Sequence, residues 1–225
     1  MNDLSKRSLL ALVRFQVALA LIIFLPARSI AYWQGWFYWL LFGAACFAIT
    51  LYFLRHDPAL VERRMKAGPG AESEPRQKLI MTFATVALIA LYLVSALDHG
   101  FGWSSVPAAM SVIADVFVVL GFAGIFRTFR ENSYAAATVK VETCQPVIVS
   151  GPYALIRHPM YAAALPLFIA TPPALGSWFG LIPAAFVVAA IVWRLLDEEA
   201  HLARELPGYA EYRRAVRARL LPGLW

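Results

Sequence analysis

Charge is what this chain has least of. Charged residues make up 15% of its 225 positions, apolar residues 60%, and the mean hydropathy is +0.63. Soluble domains carry roughly 25% charged and 45–50% apolar residues, and a water-soluble fold of this length could not bury so much hydrocarbon. Cysteine is equally scarce. Cys46 falls in an apolar run and Cys144 in a polar segment, so a disulfide between them is not expected, and no Cys-x-x-Cys spacing suggests a metal. Ala67-Gly68-Pro69-Gly70 neither follows a strand nor has the shape of a nucleotide-binding glycine loop, which excludes a soluble-type nucleotide domain. The chain has no internal repeat and no low-complexity tract.

Long apolar runs are what it has instead. A bilayer span needs roughly 20 apolar residues, and such runs fall near 9–26, 33–54, 79–97, 106–126 and 177–196. A sixth, near 160–175, is shorter and carries Pro166, Pro172 and Pro173. The first run has no small-x-small cleavage site after it, and Trp33, Trp36 and Trp39 begin the next span at once, so it reads as a span rather than a leader. The fold expected is all-α: a polytopic membrane protein of five to six transmembrane helices, with a C-terminal helical hairpin and a cytosolic interfacial tail helix. Residues 1–105 would hold N-terminal spans and a cytosolic loop. Residues 106–225 would form the catalytic core.

The basic residues set an orientation. With the N-terminus in the cytosol and six crossings, 18 of the 20 Lys and Arg fall on the cytosolic side, as the positive-inside rule requires. Arg28 is left in an outer loop and Arg14 inside the first span. Both termini are then cytosolic, in the inner (cell) membrane. The net charge of +6 points to anionic membrane lipids as partners, and so apolar a chain is a poor nucleic-acid binder.

The outer connections are short and the inner ones long. Residues 55–78 read as a flexible cytosolic loop. Residues 127–158 begin as a helix extension. They continue as Thr138-Val139-Lys140-Val141-Glu142 and Val147-Ile148-Val149, two runs that suit a small hairpin or an extended lid. Beyond Glu199, Leu202, Leu206, Tyr209, Val216 and Leu220 recur at helical spacing with arginines on other faces. Such a tail belongs at the headgroup level, broken in two by Pro207-Gly208.

Two polar cassettes bracket some thirty uncharged residues. The first runs from Gly151-Pro152-Tyr153 to Arg157-His158-Pro159-Met160-Tyr161; the second is Arg194-Leu195-Leu196-Asp197-Glu198-Glu199. Proline is tolerated in a first helical turn, helix N-termini favour anions, and Arg157 adds a cationic fork suited to a carboxylate. Glu198 and Glu199 supply the opposite sign one turn past Arg194. Alone, Arg-His-Pro describes snorkelling charges and a helix start, and paired glutamates after a span describe a solvated helix end. If the apolar stretch folds back on itself, the two cassettes meet at one boundary and can hold a ligand carrying both an ammonium and a carboxylate.

The combination Gly-Pro-Tyr…Arg-His-Pro-Met-Tyr, a hairpin, Arg-x-x-x-Glu-Glu-x-x-Leu and a later Pro-Gly-Tyr-x-x-Tyr resembles the isoprenylcysteine carboxyl methyltransferases. These are integral membrane methyltransferases grouped with the phospholipid N-methyltransferases. The likeness is strongest over 120–225, and Asp57-Pro58-Ala59-Leu60…Arg63 is similar to the bacterial-type branch. The resemblance implies S-adenosylmethionine as cofactor and a lipophilic small-molecule or lipidated substrate entering from the bilayer. It implies cofactor contacts from Tyr153, His158, Pro159 and Tyr161, from Val147, Ile148 and Val149, and from Glu198 and Glu199. Arg157, Arg194 and Glu199 would be the catalytic set, and no metal is implied. A carboxylate acceptor would need no base; an amine or thiol would need His158 or a glutamate to take a proton. Ala162, where many relatives have Gly, and Leu206-Pro207-Gly208, in place of a Phe-Gly turn, depart from the pattern on the substrate side.

Three other readings stay open on the residues. An NADPH-dependent membrane reductase of the sterol-reductase type shares an Arg-His-Pro-x-Tyr cassette, although Met160, Ala162 and Glu198-Glu199 fit it poorly. A carboxylate di-iron site would use Glu198-x-x-His201, but the second copy that such sites need is missing. A non-catalytic membrane scaffold could retain the same signature.

Overall fold

The computed structural model describes residues 3–142, 145–223 and 225; Cys144 lies outside the described residues. Eight α-helices are formed among them: α1 Asp3–Ala27, α2 Trp33–His56, α3 Pro58–Met65, α4 Pro75–Phe101, α5 Ala108–Glu131, α6 Pro159–Ala174, α7 Leu181–Glu205 and α8 Tyr209–Ala215. No strand occurs among the described residues. The chain is an all-α polytopic membrane protein, as its composition required.

Four helices, α1, α2, α4 and α5, are each long and apolar enough to cross a bilayer. Their outward faces carry Val17, Leu21, Val86, Val116, Phe117 and Leu120 exposed, an apolar surface that water would not tolerate and lipid requires. The remaining crossing is the α6–α7 hairpin. The 16 residues of α6 span about 24 Å, less than the roughly 30 Å of a hydrocarbon core. Its reach is completed by the 175–180 connection, whose far end is tied to α4. The Asp98 carboxylate accepts from Ser177 Oγ at 2.5 Å, from Ser104 N and Oγ at 2.7 and 2.6 Å, and from Phe179 N at 3.4 Å. Tyr32 Oη donates to Leu175 O at 2.5 Å beside it. The hairpin tip therefore sits at the same far end of the bundle as the C-terminus of α4.

Small residues seat the hairpin. A Cβ on Gly121 would meet Leu167 Cβ at 2.6 Å, and one on Gly124 would meet Ala163 Cβ at 2.7 Å. These two positions, one turn apart on α5, let α6 approach as small residues do between membrane helices. Tyr38 Oη, at 3.0 Å from Tyr92 Oη and 3.1 Å from Thr171 Oγ1, links α2, α4 and α6 by hydrogen bonds inside the core. That core joins Ile23, Tyr38, Leu91, Val118, Leu167 and Val187, so helices on both sides of position 105 share it.

Three expectations change at the near end. Residues 55–78 are not a plain loop. Asp57 Oδ1 accepts from Leu60 N at 3.1 Å with Pro58 in the first turn, a cap and start that fold α3. Glu72 beyond it is buried. The β-branched runs of 138–142 and 147–149 do not pair as a hairpin among the described residues; with 132–137 they belong to an irregular strap, in which Ala137 O bonds to Arg194 on α7, Val139 N to Glu72 and Glu142 to Arg63 on α3. The tail packs on the protein rather than standing as a separate helix. Gly208, at φ +84°, turns it back, and Leu206, Tyr209 and Tyr212 are buried against Tyr153, Val147 and Leu202, while Leu220 packs separately on Tyr161 and Leu195.

Candidate functional site

The two polar cassettes meet. Tyr161 Oη, in the first turn of α6, donates to Glu198 Oε2 at 2.5 Å and accepts from Arg194 Nε at 3.2 Å. Beneath this pair, Glu199 is the hub of a buried charge cluster. Its Oε1 lies 2.8 Å from Arg157 Nε and 3.3 Å from His158 Nε2, and its Oε2 accepts from Arg219 Nε at 2.9 Å. Burial raises the Glu199 pKa, but His158, Arg219 and Arg157 together outweigh it and hold the carboxyl down at about 2.

Local sequence explains why these side chains converge. Gly151, at φ +57°, leaves no room for a Cβ against Glu131. The chain turns there through a short 3-10 segment, Gly151–Ala154. Ser150 Oγ donates to Glu131 Oε1 and fixes the turn to the end of α5. Arg157 N and His158 N donate to Ala218 O and Arg219 O, both at 3.0 Å, so the returning tail clips the cassette from below. Tyr212 Oη donates to Tyr153 O at 2.8 Å. On α7, Arg194 Nη2 donates to Glu72 Oε1 at 2.8 Å and to Ala137 O at 2.7 Å, while Nη1 donates to Gln77 Oε1 at 3.0 Å. One guanidinium thus joins the hairpin, the α3–α4 connection and the strap. Glu72 Oε2 accepts from Val139 N at 3.2 Å and anchors the strap a second time.

Between strap, cassette and tail lies a cleft of about 860 Å³, a figure that takes in its open mouth. Val147, Ile148, Tyr153, Arg157, His158, Pro159, Tyr161, Arg194 and Glu198 line it. Two residues expected at the cofactor do not. Val149 is 58% exposed and faces away, and Glu199 lies behind Arg157 and His158, outside the lining. The cleft also recruits Asn132, Leu202, Leu206, Tyr209 and Tyr212. Asn132 Nδ2 donates to Tyr153 Oη at 2.9 Å; burial comes first in pushing that phenol up to about 12. The Tyr209 hydroxyl is buried in the cleft wall with no hydrogen-bond partner among the described residues. The Pro-Gly-Tyr-x-x-Tyr motif carried a signal for both tyrosines. Glu72, 122 residues before its partner, carried none.

A wall with a carboxylate, two guanidiniums, an imidazole and five phenols can hold a ligand bearing charges of both signs. Residues 109–207 match the phospholipid methyltransferase family model. The match runs from the start of α5 through the strap and hairpin to Pro207, and it bears out the resemblance read from the motifs. Phospholipid methyltransferase names a membrane methyltransferase, and the apolar helices agree with it. Tyr209 and Tyr212, which line the cleft, and Arg219, which pairs with Glu199, lie beyond the matched segment. No curated protein matches the chain.

Proposed function

We propose that this protein is an S-adenosylmethionine-dependent methyltransferase acting on a lipophilic acceptor at the membrane face that carries its basic residues. One observation carries the reading: the α6–α7 hairpin brings Tyr161, Arg194 and Glu198 within hydrogen-bonding distance beside a cleft lined by groups of both charges.

The residues present suit the cofactor's chemistry. Its ammonium would go to Glu198 and its carboxylate to Arg157 and His158. Its adenosine would lie among Val147, Ile148 and the Tyr153 ring. The unpartnered Tyr209 hydroxyl offers a donor inside the wall; a buried hydroxyl without a partner costs about 1–3 kcal/mol, which a ligand acceptor would offset. When bound, the cofactor supplies a methyl group on a sulfonium whose charge disappears on transfer. The protein's part is to align and to exclude water. The strap covers the cleft, Arg194 holds strap and hairpin in register, and Glu199 fixes Arg157 and His158 from behind. Such alignment can remove roughly 7–11 kcal/mol of barrier.

Calorimetry of the purified protein tests this against the reductase reading. S-adenosylmethionine should bind and NADPH should not; the reverse result overturns the proposal. Tyr209→Phe should weaken cofactor binding about fivefold, the worth of one ordinary hydrogen bond.

A further inference from the structure

The connection from α3 to α4 lies outside the 109–207 segment that matches the family model, yet it sends a carboxylate into the protein. Gly68, at φ +89°, and Pro69 open a short 3-10 turn over Pro69–Ala71, in which Ala71 N donates to Gly68 O at 3.1 Å. Pro75 then starts α4. Glu72 falls in the short gap between turn and helix, and its side chain is only 1% exposed.

A buried carboxylate requires partners, and Glu72 has two. Its Oε1 accepts from Arg194 Nη2 at 2.8 Å and its Oε2 from Val139 N at 3.2 Å. The same Nη2 donates to Ala137 O at 2.7 Å. The ion pair thus takes one C=O and one N–H of the strap, the backbone groups that a partner strand would otherwise satisfy. Gln77 steadies the guanidinium from another side. Its Oε1 accepts from Nη1 at 3.0 Å, while its Nε2 donates to Asp197 Oδ2 at 2.5 Å. A guanidinium has five N–H groups. With the bond from Nε to Tyr161 Oη, four of the five on Arg194 are taken up by the protein itself.

The last link runs to the ligand side. Arg194 and Glu198 are four residues apart on α7 and share a face. The Tyr161 hydroxyl bridges them: it accepts from Arg194 Nε and gives its only proton to Glu198 Oε2. A guanidinium that moved away with the strap would leave this hydroxyl without its donor and free to turn off Glu198. We propose that Glu72 is a positioning residue of the cofactor cleft: through Arg194 and Tyr161 it makes closure of the strap and alignment of the Glu198 carboxylate one event. The proposal deepens the methyltransferase reading and rests on it for the identity of the ligand. A ligand cation held by the aligned Glu198 then favours the closed strap, and the closed strap favours the ligand by the same factor.

A double-variant cycle read by S-adenosylmethionine affinity, on the full chain in detergent or nanodiscs, tests this. Glu72→Gln keeps the size of the side chain but turns an N–H group toward Arg194 or Val139 N. In the wild-type background it should weaken binding by about tenfold, within the usual range of coupling between sites. In the Glu198→Gln background, where the aligned charge is already gone, the same change should weaken it by less than about twofold. Glu72 and Glu198 make no hydrogen bond to each other among the described residues, so a merely structural Glu72 gives the same loss in both backgrounds. Equal losses overturn the proposal. Amide exchange over 134–142 gives a second reading that does not need Glu72→Gln to fold. Saturating cofactor should slow exchange there in the wild type, and Glu198→Gln, at a concentration that still saturates it, should lose most of that slowing. Equal slowing in the two proteins overturns the proposal. A wild type that binds no S-adenosylmethionine removes the methyltransferase reading and this inference with it, whereas cofactor binding with equal losses in the cycle removes only the role of Glu72.

Discussion

Glu198 and Glu199 are adjacent in sequence and opposite in environment. Successive positions on a helix differ by about 100°. One carboxylate therefore lines the cleft under Tyr161, while the other is sealed behind the lining, where it holds Arg157 and His158 from the back and pairs with Arg219. Glu199→Gln should act on stability, because removing one charge from a buried pair leaves the others uncompensated, at a cost of about 3–5 kcal/mol. Glu198→Gln should leave thermal unfolding nearly unchanged and weaken cofactor binding. Equal unfolding temperatures for the two variants would contradict this division. The pH dependence follows in sign. The carboxyl of Glu199 is held at about 2, below its ordinary 4.5, so its contribution is fully present above pH 4.5. It is lost as pH falls from there through 2, a loss on the order of 3 kcal/mol. The motif made both glutamates legible in the sequence. Which of them meets the ligand was not, because that depends on helix rotation and on Arg219, twenty positions away.

At the scale of elements, the helices were legible because apolar length and capping residues are local signals. The strap was not. Its β-branched residues suggest strand, yet no second strand is available, and its order comes from side chains far away in sequence. Arg194 holds Ala137 O, Glu72 holds Val139 N, and Arg63 grips Glu142 with both prongs, Nε to Oε1 at 2.7 Å and Nη2 to Oε2 at 2.9 Å. The last pair is half-exposed, and such pairs contribute only about 0–1 kcal/mol to global stability. Its influence should be local. Glu142→Ala should loosen the strap, seen as faster amide exchange over 134–142 and faster cofactor release, with the unfolding temperature moving by no more than about 2 °C. Unaltered exchange there would show that Arg194 and Glu72 hold the strap alone.

For the whole molecule, parity decides orientation. The tie between Asp98 and the 177–179 tip makes α6 and α7 a full out-and-back pair despite the shortness of α6. The helices α1, α2, α4, α5, α6 and α7 then run six lengths of the bundle, and both ends of the described chain return to the end that holds the cleft. Eighteen of twenty basic residues gather at that end, where anionic headgroups attract them by about 1 kcal/mol per charge near the surface. We place this end in the cytosol on that ground, since cytosolic loops concentrate Lys and Arg. In a background without native cysteines, Gly70→Cys and Glu205→Cys put thiols at exposed near-end positions, and Ile30→Cys puts one at the far end, where residue 30 is 88% exposed. A membrane-impermeant maleimide added to intact cells should label only position 30, and lysis should expose 70 and 205. Labelling of 70 and 205 in intact cells would turn the protein over. The cleft would then face away from the cytosol, so the same measurement bears on the proposed chemistry: S-adenosylmethionine, made in the cytosol, would reach the cleft only if the basic end of the bundle is the inner one.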